Sequence, residues 1–309
     1  MMRSLYSGVS GLVNHQKRMD VIGNNIANVN TNGYKTGRTV FADIFSQTMR
    51  TASPGDGTVG GTNPTQIGLG VTLSAIDILF TPAATQRTDN PTDLAIEGSG
   101  FFIIQSPTGL SENADFMGET VEGENGTIGV RVQGYNYTRA GNFYLDHSGY
   151  LVNAMGYYVM GFGVDYTPPD VGGEGEVDLS VRIEEGLQRI NLYGTTGVSF
   201  DDTGTVWAMR EGTLQPIYKV AIATFMNDSG LQKIGENFYI ETGNSGSAIA
   251  TTSLLNGAGR VMPGGLEMSN TDLASEFTDM IVTQRGFQAN SRIIITSDTL
   301  LEELVNLKR

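Results

Sequence analysis

The C-terminal segment constrains the fold most, because apolar residues recur there at every seventh position. One column of this heptad repeat is uniformly apolar and consists of Leu273, Met280, Phe287, Ile294 and Leu301. The alternate column is mixed and reads Phe277, Gln284, Ser291, Asp298 and Val305. No proline interrupts residues 271–307, so a helix over this range would be about 55 Å long, far longer than an ordinary globular helix. The pattern predicts a helix of a coiled coil or bundle, with Ser269, Asn270 or Thr271 as the candidate N-cap.

The N-terminal segment repeats the theme with a narrower apolar stripe. Helical periodicity runs through residues 4–30 and places Leu5, Val9, Leu12, Met19, Ile22 and Ile26 on one stripe. His15 falls off this stripe and is interpreted as solvated or at a subunit contact. Asn32 and Gly33 favour a turn, and Gly33 can adopt the left-handed conformation that ends a helix.

Between the two helical ends the sequence is typical of β structure with turns. Strands are predicted at residues 71–80, 94–105 and 217–225, where apolar and β-branched residues cluster. Turns are predicted at 146–149 and 201–204, where Asp residues precede glycine. Gly-rich stretches are interpreted as loops or insertions at 51–70, 106–129 and 163–176.

These patterns together predict an α+β fold in which the two terminal helices pair as an α-helical coiled coil. We expect residues 1–35 and 268–309 to form this helical domain. Residues 36–90 are expected to form a linker or extended β region, and 91–267 a β-rich domain. An apolar stripe at each end, flanking an unrelated β middle, favours packing between subunits over a purely internal hairpin.

Composition excludes several classes of function. The formal net charge is −14, which disfavours a nucleic-acid partner. The chain has no cysteine, so disulfides, thiolate metal sites and a cysteine nucleophile are excluded. No apolar run is long enough for a membrane helix or a signal-peptide core. We therefore expect no membrane insertion, and either a cytoplasmic location or export without a cleaved signal peptide.

No catalytic, cofactor or metal constellation is found. The glycine clusters at 57–61 and 68–70 lack the Lys and Ser/Thr of a phosphate-binding loop. The Asp residues at 201–202 lack the remainder of a calcium loop. His15 and His147 have no sequence neighbour suited to a metal or catalytic pair. The sequence predicts no enzyme, no cofactor and no metal site.

Several blocks resemble, in the same order, the flagellar rod and hook axial protein family. DVIGNNIANVNTNGYK at 20–35 is similar to the family's N-terminal motif, and DLAIEGSGFFII at 93–104 to the entry of its β domain. Further similar blocks are YTRAGNFYLDHSGYLVNAMGYYVMGF at 137–162 and FMNDSGLQKIGENFY at 225–239. The stretch from Glu267 to Leu307 is similar to the family's C-terminal helix.

The resemblance implies a structural subunit that polymerises with copies of itself into a tube. It implies the flagellar hook, which transmits motor torque to the filament, with the distal rod as the alternative. Implied partners are rod, hook-cap and hook–filament junction proteins and the flagellar export apparatus, and the implied location is the flagellum outside the cell. Residues expected to pack between subunits are Leu5, Val9, Leu12, Met19, Ile22, Ile26, Leu273, Phe277, Met280, Phe287, Ile294 and Leu301.

Overall fold

The computed structural model describes residues 2–54, 60–105, 116–123, 126–166, 179–182, 186–210 and 212–307. The chain divides into two compact units. Unit 1 comprises Met1–Val29, Thr36–Leu79 and Thr271–Arg309. Unit 2 comprises Asn30–Lys35 and Phe80–Asn270. Helices at both ends and a β-rich middle confirm the predicted α+β class.

Unit 1 contains two long helices and two small antiparallel sheets. The helices are α1, Met2–Ala27, and α2, Leu273–Asn306. The strands are β1 Gly37–Asp43, β2 Ser46–Arg50, β3 Thr65–Gly68 and β4 Val71–Ile78. β1 pairs with β4, and β2 pairs with β3. Every residue of β2 and β3 is exposed, so this hairpin buries neither face within the described chain.

Both predicted helices are confirmed, with small changes at their ends. α1 stops at Ala27, and Gly33 has the predicted positive φ of 68°. The N-cap prediction for α2 was wrong by one residue, because Asp272 caps the helix. Its carboxylate accepts a hydrogen bond from the Ala274 backbone N–H at 3.0 Å. An N-cap side chain bonds the N–H two or three residues further on, so the cap belongs to the residue directly before the helix.

Unit 2 is built from short antiparallel strands. They are β5 Thr85–Arg87, β6 Leu94–Glu97, β7 Phe101–Gln105, β8 Phe116–Gly123, β9 Gly126–Val132, β10 Asn136–Thr138, β11 Phe143–Leu145, β12 Leu151–Asn153, β13 Tyr158–Tyr166, β14 Leu179–Val181, β15 Gln188–Arg189, β16 Thr196–Phe200, β17 Thr205–Arg210, β18 Thr213–Val220, β19 Ile222–Thr224, β20 Gln232–Gly235, β21 Phe238–Ile240, β22 Ala248–Thr251, β23 Arg260–Pro263 and β24 Gly265–Glu267. A short 3-10 helix covers Asp228–Gly230.

The main sheet of unit 2 runs in the order β16-β17-β18-β13-β7-β19-β22-β9-β8. β7 is central, and Phe101, Phe102, Ile103 and Ile104 within it are fully buried. Phe102 meets Phe143 edge to face at 5.2 Å, an arrangement that aromatic quadrupoles favour. The continuous apolar run of β7 is thus the sequence signature of a strand buried on both faces.

The predicted turns and strands of the middle are confirmed with some corrections. Gly149 and Gly204 close their turns with backbone hydrogen bonds to Asp146 and Asp201. The strands predicted at 94–105 and 217–225 are each divided. Gly98 and Gly100, both with positive φ, lie between β6 and β7, and Ala221 separates β18 from β19.

Parts of the predicted loops proved to be strands. Residues 65–68 form β3, 116–123 and 126–129 belong to the β8–β9 hairpin, and 163–166 extend β13. Backbone pairing does not require apolar side chains, so Gly-rich segments can form strands without an alternating pattern. Within these ranges, residues 55–59, 106–115, 124–125 and 167–176 lie outside the described residues.

Candidate assembly surface

The two helices of unit 1 lie antiparallel against each other. Ser4 contacts Ser297 through their hydroxyl groups at 3.5 Å, near the start of α1. Asn25 donates to the Glu276 carboxylate at 3.0 Å near the other end of the pair. Between these points Arg18 forms an ion pair with Asp279 at 3.1 Å. The contact therefore extends along nearly all of α1, from residue 4 to residue 25.

Small residues allow the two helices to approach closely. A Cβ at Gly11 would lie 2.5 Å from the side-chain amide nitrogen of Asn290. A Cβ at Gly286 would lie 2.7 Å from the His15 ring. A side chain at either glycine would therefore force the facing Asn290 amide or His15 ring to shift, so the present contact requires glycine.

The His15 ring occupies the groove above Gly286, so it lies at a contact within the chain. The interpretation of His15 as solvated was therefore wrong, and the alternative of a subunit contact stays a prediction. Burial and the nearby Arg18 guanidinium both lower the pKa of His15 from its usual value, and its Nδ1 atom has no hydrogen-bond partner among the described residues. A charged imidazolium is disfavoured in this groove.

Polar side chains also attach the helices to the β1–β4 sheet. Asn14 donates to the Val71 carbonyl at 2.6 Å. Asn25 donates to the Gly37 carbonyl at 2.9 Å and accepts from the Gly37 N–H at 3.0 Å. Asn14 and Asn25 are both buried, so the inner face of α1 is substantially polar.

The face of α2 that contacts α1 does not include the alternate heptad column that begins at Phe277. Within the apolar column Met280, Ile294 and Leu301 are half-buried, whereas Leu273 and Phe287 are exposed. The more buried companions are Glu276, Thr283, Asn290 and Ser297, whereas Phe277 is 50% exposed. The prediction missed this column because its residues are polar, and hydrophobic periodicity detects only apolar ones.

The expected subunit-packing residues fall into two groups. Ile22 is buried, and Leu5, Leu12, Met19, Ile26, Met280, Ile294 and Leu301 are half-buried. Val9, Leu273, Phe277 and Phe287 are exposed.

Sequence reasoning missed a further set of apolar side chains that are exposed on the same two helices. They are Tyr6, Val13, Ile281, Val282, Ile293, Ile295, Leu300 and Leu304, followed by Leu307 at the C-cap of α2. The available signal was that apolar residues of α2 occur on several faces, which is unusual for a surface helix.

The helix pair therefore encloses small and polar groups together with part of its apolar side chains, and it leaves many large apolar side chains exposed to solvent. Soluble monomers rarely expose extended apolar surface, and such surface marks an interaction site. Neither helix has the continuous apolar length needed to cross a bilayer, as far as the described residues extend.

Unit 2 contains a buried charge cluster formed by Lys35, Arg139 and Glu267. The Glu267 carboxylate accepts from the Lys35 ammonium at 2.7 Å and from the Arg139 guanidinium at 3.3 Å. Lys35 also donates to the Thr81 carbonyl at 2.8 Å, and Arg139 to the Gly98 carbonyl at 2.7 Å. Burial lowers the pKa of both cations, and Glu267 opposes that effect.

This cluster has a structural explanation, because its charged groups bind backbone carbonyls and one another. The Ala83 backbone N–H donates to Glu267 at 3.1 Å, which adds a further segment to the network. No group of side chains suited to a metal ion occurs in the part of the chain that the structure describes.

Comparisons with known proteins agree with a structural role. The family "Flagella basal body rod protein" matches residues 5–35, and "Flagellar hook protein FlgE/F/G D1 domain" matches 122–208. "Flagellar basal body rod FlgEFG protein C-terminal" matches residues 262–307. These matches include most of α1 and of α2 and a large part of the β-rich middle.

Full-length relatives are similar to this chain over its entire length. The flagellar basal-body rod protein FlgG of Bacillus subtilis is 44% identical, with 100% of both chains covered. The FlgG protein of Borreliella burgdorferi is 34% identical and its flagellar hook protein FlgE is 32% identical, again with 100% of each chain covered.

The fold and the exposed helix pair define a structural protein of an assembly, and the relatives identify which assembly. The chain belongs to the flagellar rod and hook protein family, whose members are structural components of the bacterial flagellum.

Proposed function

We propose that this chain is a subunit of the distal rod of the flagellar basal body, a tube assembled from copies of the chain. The observation that carries the proposal is the exposed apolar surface of α1 and α2. Phe277, Ile281 and Leu304 are each about half exposed, and nothing in the described chain covers them. Burial of such side chains between copies supplies a driving force of about 25 cal/mol per Å² of apolar surface.

Pairing of α1 with α2 supplies the repeating element of this tube. We propose that the pair acts as a coiled coil of the inner tube domain, with the expected stripe residues packing between subunits. The polar seam within each chain supports this proposal, because it leaves the large apolar side chains available to neighbours. Many equivalent contacts of this kind let a tube transmit torque without any chemical step.

Alignment length favours the rod over the hook, which was the first expectation from sequence. The Borreliella burgdorferi FlgG aligns with this chain over 313 positions, whereas the FlgE of the same organism aligns over 444. Since the chain has 309 residues, the hook relative contains a large amount of sequence that this chain lacks.

The hook remains the second candidate, because the FlgE relative is 32% identical over all of both chains. For either candidate we propose export through the flagellar apparatus without a cleaved signal peptide. The expected neighbours outside the homopolymer are other rod proteins and, at the far end, hook components.

Electron microscopy of basal bodies from a strain lacking this gene tests the proposal. We expect basal bodies that stop short of a complete rod and carry no hook. A complete rod that ends without a curved hook would assign the chain to the hook instead. Intact flagella in the deletion strain would refute both assignments.

A further inference from the structure

The end of α2 extends beyond the region where α1 faces it. Within one chain, facing residues of the two helices have numbers that sum to about 301, as in Ser4 with Ser297, Gly11 with Asn290 and His15 with Gly286. With this sum Asp298 and Thr299 lie opposite Arg3 and Met2, and no described residue of α1 lies opposite residues 300–307. We call residues 298–307, which include this overhang, the α2 extension.

The α2 extension is apolar and acidic at once. Leu300, Leu304 and Leu307 follow one another at helical spacing on one face, and all three are exposed, Leu307 to 82%. Asp298, Glu302 and Glu303 supply three negative charges, and no basic side chain occurs among residues 298–307. An isolated helical end with this much exposed apolar surface is unfavourable in water.

A complementary surface lies on the outer face of α1. Tyr6, Val9 and Val13 are exposed there, at 68%, 47% and 46%. Arg3 and Lys17 flank them, and residues 3–17 contain no acidic side chain. We call this surface the outer α1 patch.

The spacings of the two surfaces match in the antiparallel sense. Along α1 the intervals from Tyr6 to Val9 to Val13 are three and then four residues. Along α2, read backwards from Leu307 to Leu304 to Leu300, they are also three and then four. Tyr6 can therefore face Leu307, Val9 can face Leu304, and Val13 can face Leu300, in the manner of helices that interdigitate.

We propose that the α2 extension of one copy binds the outer α1 patch of a second copy, in this antiparallel register. The inference rests on the proposed function and specifies one of the contacts of the polymer. Asp298, Glu302 and Glu303 meet opposite charge on α1 at Arg3 and Lys17, whereas in a second α2 extension they would meet the same three acidic residues, with basic residues only at 308–309; this favours α1 as the occupant. In this register Lys17 comes within about one turn of Asp298, on the same pair of helices.

The register also fixes the displacement between the two copies. In the proposed contact between copies, the numbers of two facing residues sum to 313, whereas within one chain they sum to 301. The second copy is therefore shifted by 12 residues along the helix axis. At 1.5 Å per residue this shift is about 18 Å. Within one chain, Val9 and Leu304 are separated by that same distance along the axis, so they cannot form a disulfide with each other.

Cysteine cross-linking in assembled basal bodies tests the inference, because the natural chain contains no cysteine. The test chain carries Val9→Cys with Leu304→Cys and is expressed in the deletion strain. After isolation and mild oxidation, we expect a ladder of covalently linked subunits on a non-reducing gel. Ser4→Cys with Ser297→Cys is the matched control, because those side chains touch within one chain and should give only an internal disulfide.

The outcomes separate this inference from the proposed function. Complete rods without linked subunits would refute the proposed contact and leave the rod assignment standing. Linked dimers from Leu304→Cys alone would show that the α2 extension packs against itself, which also refutes the proposal. If the Val9 and Leu304 pair prevents assembly, Tyr6→Cys with Leu307→Cys tests the same register, and absence of linkage there is decisive.

Discussion

The helix pair of unit 1 and the β core of unit 2 solve the problem of apolar burial in opposite ways. In unit 2, Phe101, Phe102 and Ile104 are fully buried and surrounded by other apolar side chains. In unit 1, Gly11 and Asn290 form the contact between helices while Phe277 is half exposed. Unit 2 therefore obtains its stability within one chain, whereas unit 1 leaves much of its apolar surface for other copies.

Charged side chains also differ between the two units, since they are paired inside unit 2 and exposed on the helices of unit 1. Unit 2 buries Lys35, Arg139 and Glu267 together, and each has partners within the unit. The outer surfaces of α1 and the α2 extension instead carry exposed charges of opposite sign. The comparison indicates that a substitution in unit 2 should change folding stability, whereas one on the helices should mainly change assembly.

Among substitutions of charged residues, the largest effect on stability is expected from Glu267→Gln. Among the described residues, the substitution removes the carboxylate that forms ion pairs with both Lys35 and Arg139, and it leaves two buried cations. We expect the free energy of unfolding to fall by about 3–5 kcal/mol. Urea denaturation followed by the fluorescence of Trp207, the single tryptophan and a residue of β17, measures it.

Asp202→Asn is the matched control for this measurement. Asp202 pairs with Arg260 at 2.6 Å on the surface of unit 2, where both side chains are about half exposed. We expect a loss below about 1 kcal/mol, because solvent screens exposed pairs. Equal losses for the two substitutions would contradict a special role for the buried cluster.

A pair of aromatic truncations tests the division between folding and assembly directly. Phe102→Ala, in the buried strand β7, should lower the free energy of unfolding by about 3–5 kcal/mol. Phe277→Ala, on exposed α2, should change it by less than about 1 kcal/mol. In the deletion strain, however, Phe277→Ala should reduce the number of completed rods counted by electron microscopy. Normal assembly by Phe277→Ala would remove Phe277 from the proposed subunit contacts.

Glycine substitutions separate the internal helix contact from helix propensity. Gly286→Ala places a methyl group 2.7 Å from the His15 ring, and we expect a net loss of about 1–2 kcal/mol. Gly23→Ala on α1 meets no atom within 4 Å and should stabilise the helix by about 0.5–1 kcal/mol. Thermal unfolding followed by helical circular dichroism measures both. A stabilising Gly286→Ala would mean that the helices do not approach closely there.

The sequence predicted the elements of this molecule better than the contacts between them. The helices and the apolar column at Met280, Ile294 and Leu301 follow from periodicity, since burial of one face imposes that spacing. The companion residues Thr283 and Asn290 could not be found in this way, because polar residues are interchangeable in a hydrophobicity pattern. The charge cluster was equally invisible, since Lys35 and Glu267 are 232 residues apart and meet only in the folded chain.

The smallest effect concerns the pH dependence of the helix pair. Burial lowers the pKa of His15 below its usual value near 6.5, so the unfolded chain binds a proton more readily than the folded chain. The helix pair should therefore lose stability as the pH falls through 6.5 toward the lowered pKa, and gain nothing further above 6.5. The pKa of Glu276 is raised by burial, and this carboxyl group acts in the opposite direction at lower pH.

His15→Gln isolates the histidine contribution, because it leaves Glu276 and the other titratable groups of the helix pair in place. Thermal unfolding of both chains between pH 7.5 and pH 5.5 should show a steeper loss of helix stability in the natural chain than in the variant. Parallel profiles would indicate that the His15 ring reaches solvent and does not occupy the groove above Gly286. That result would argue against the close contact between α1 and α2 at His15 and Gly286. The proposed assembly depends on this contact, because it leaves the large apolar side chains of the pair exposed.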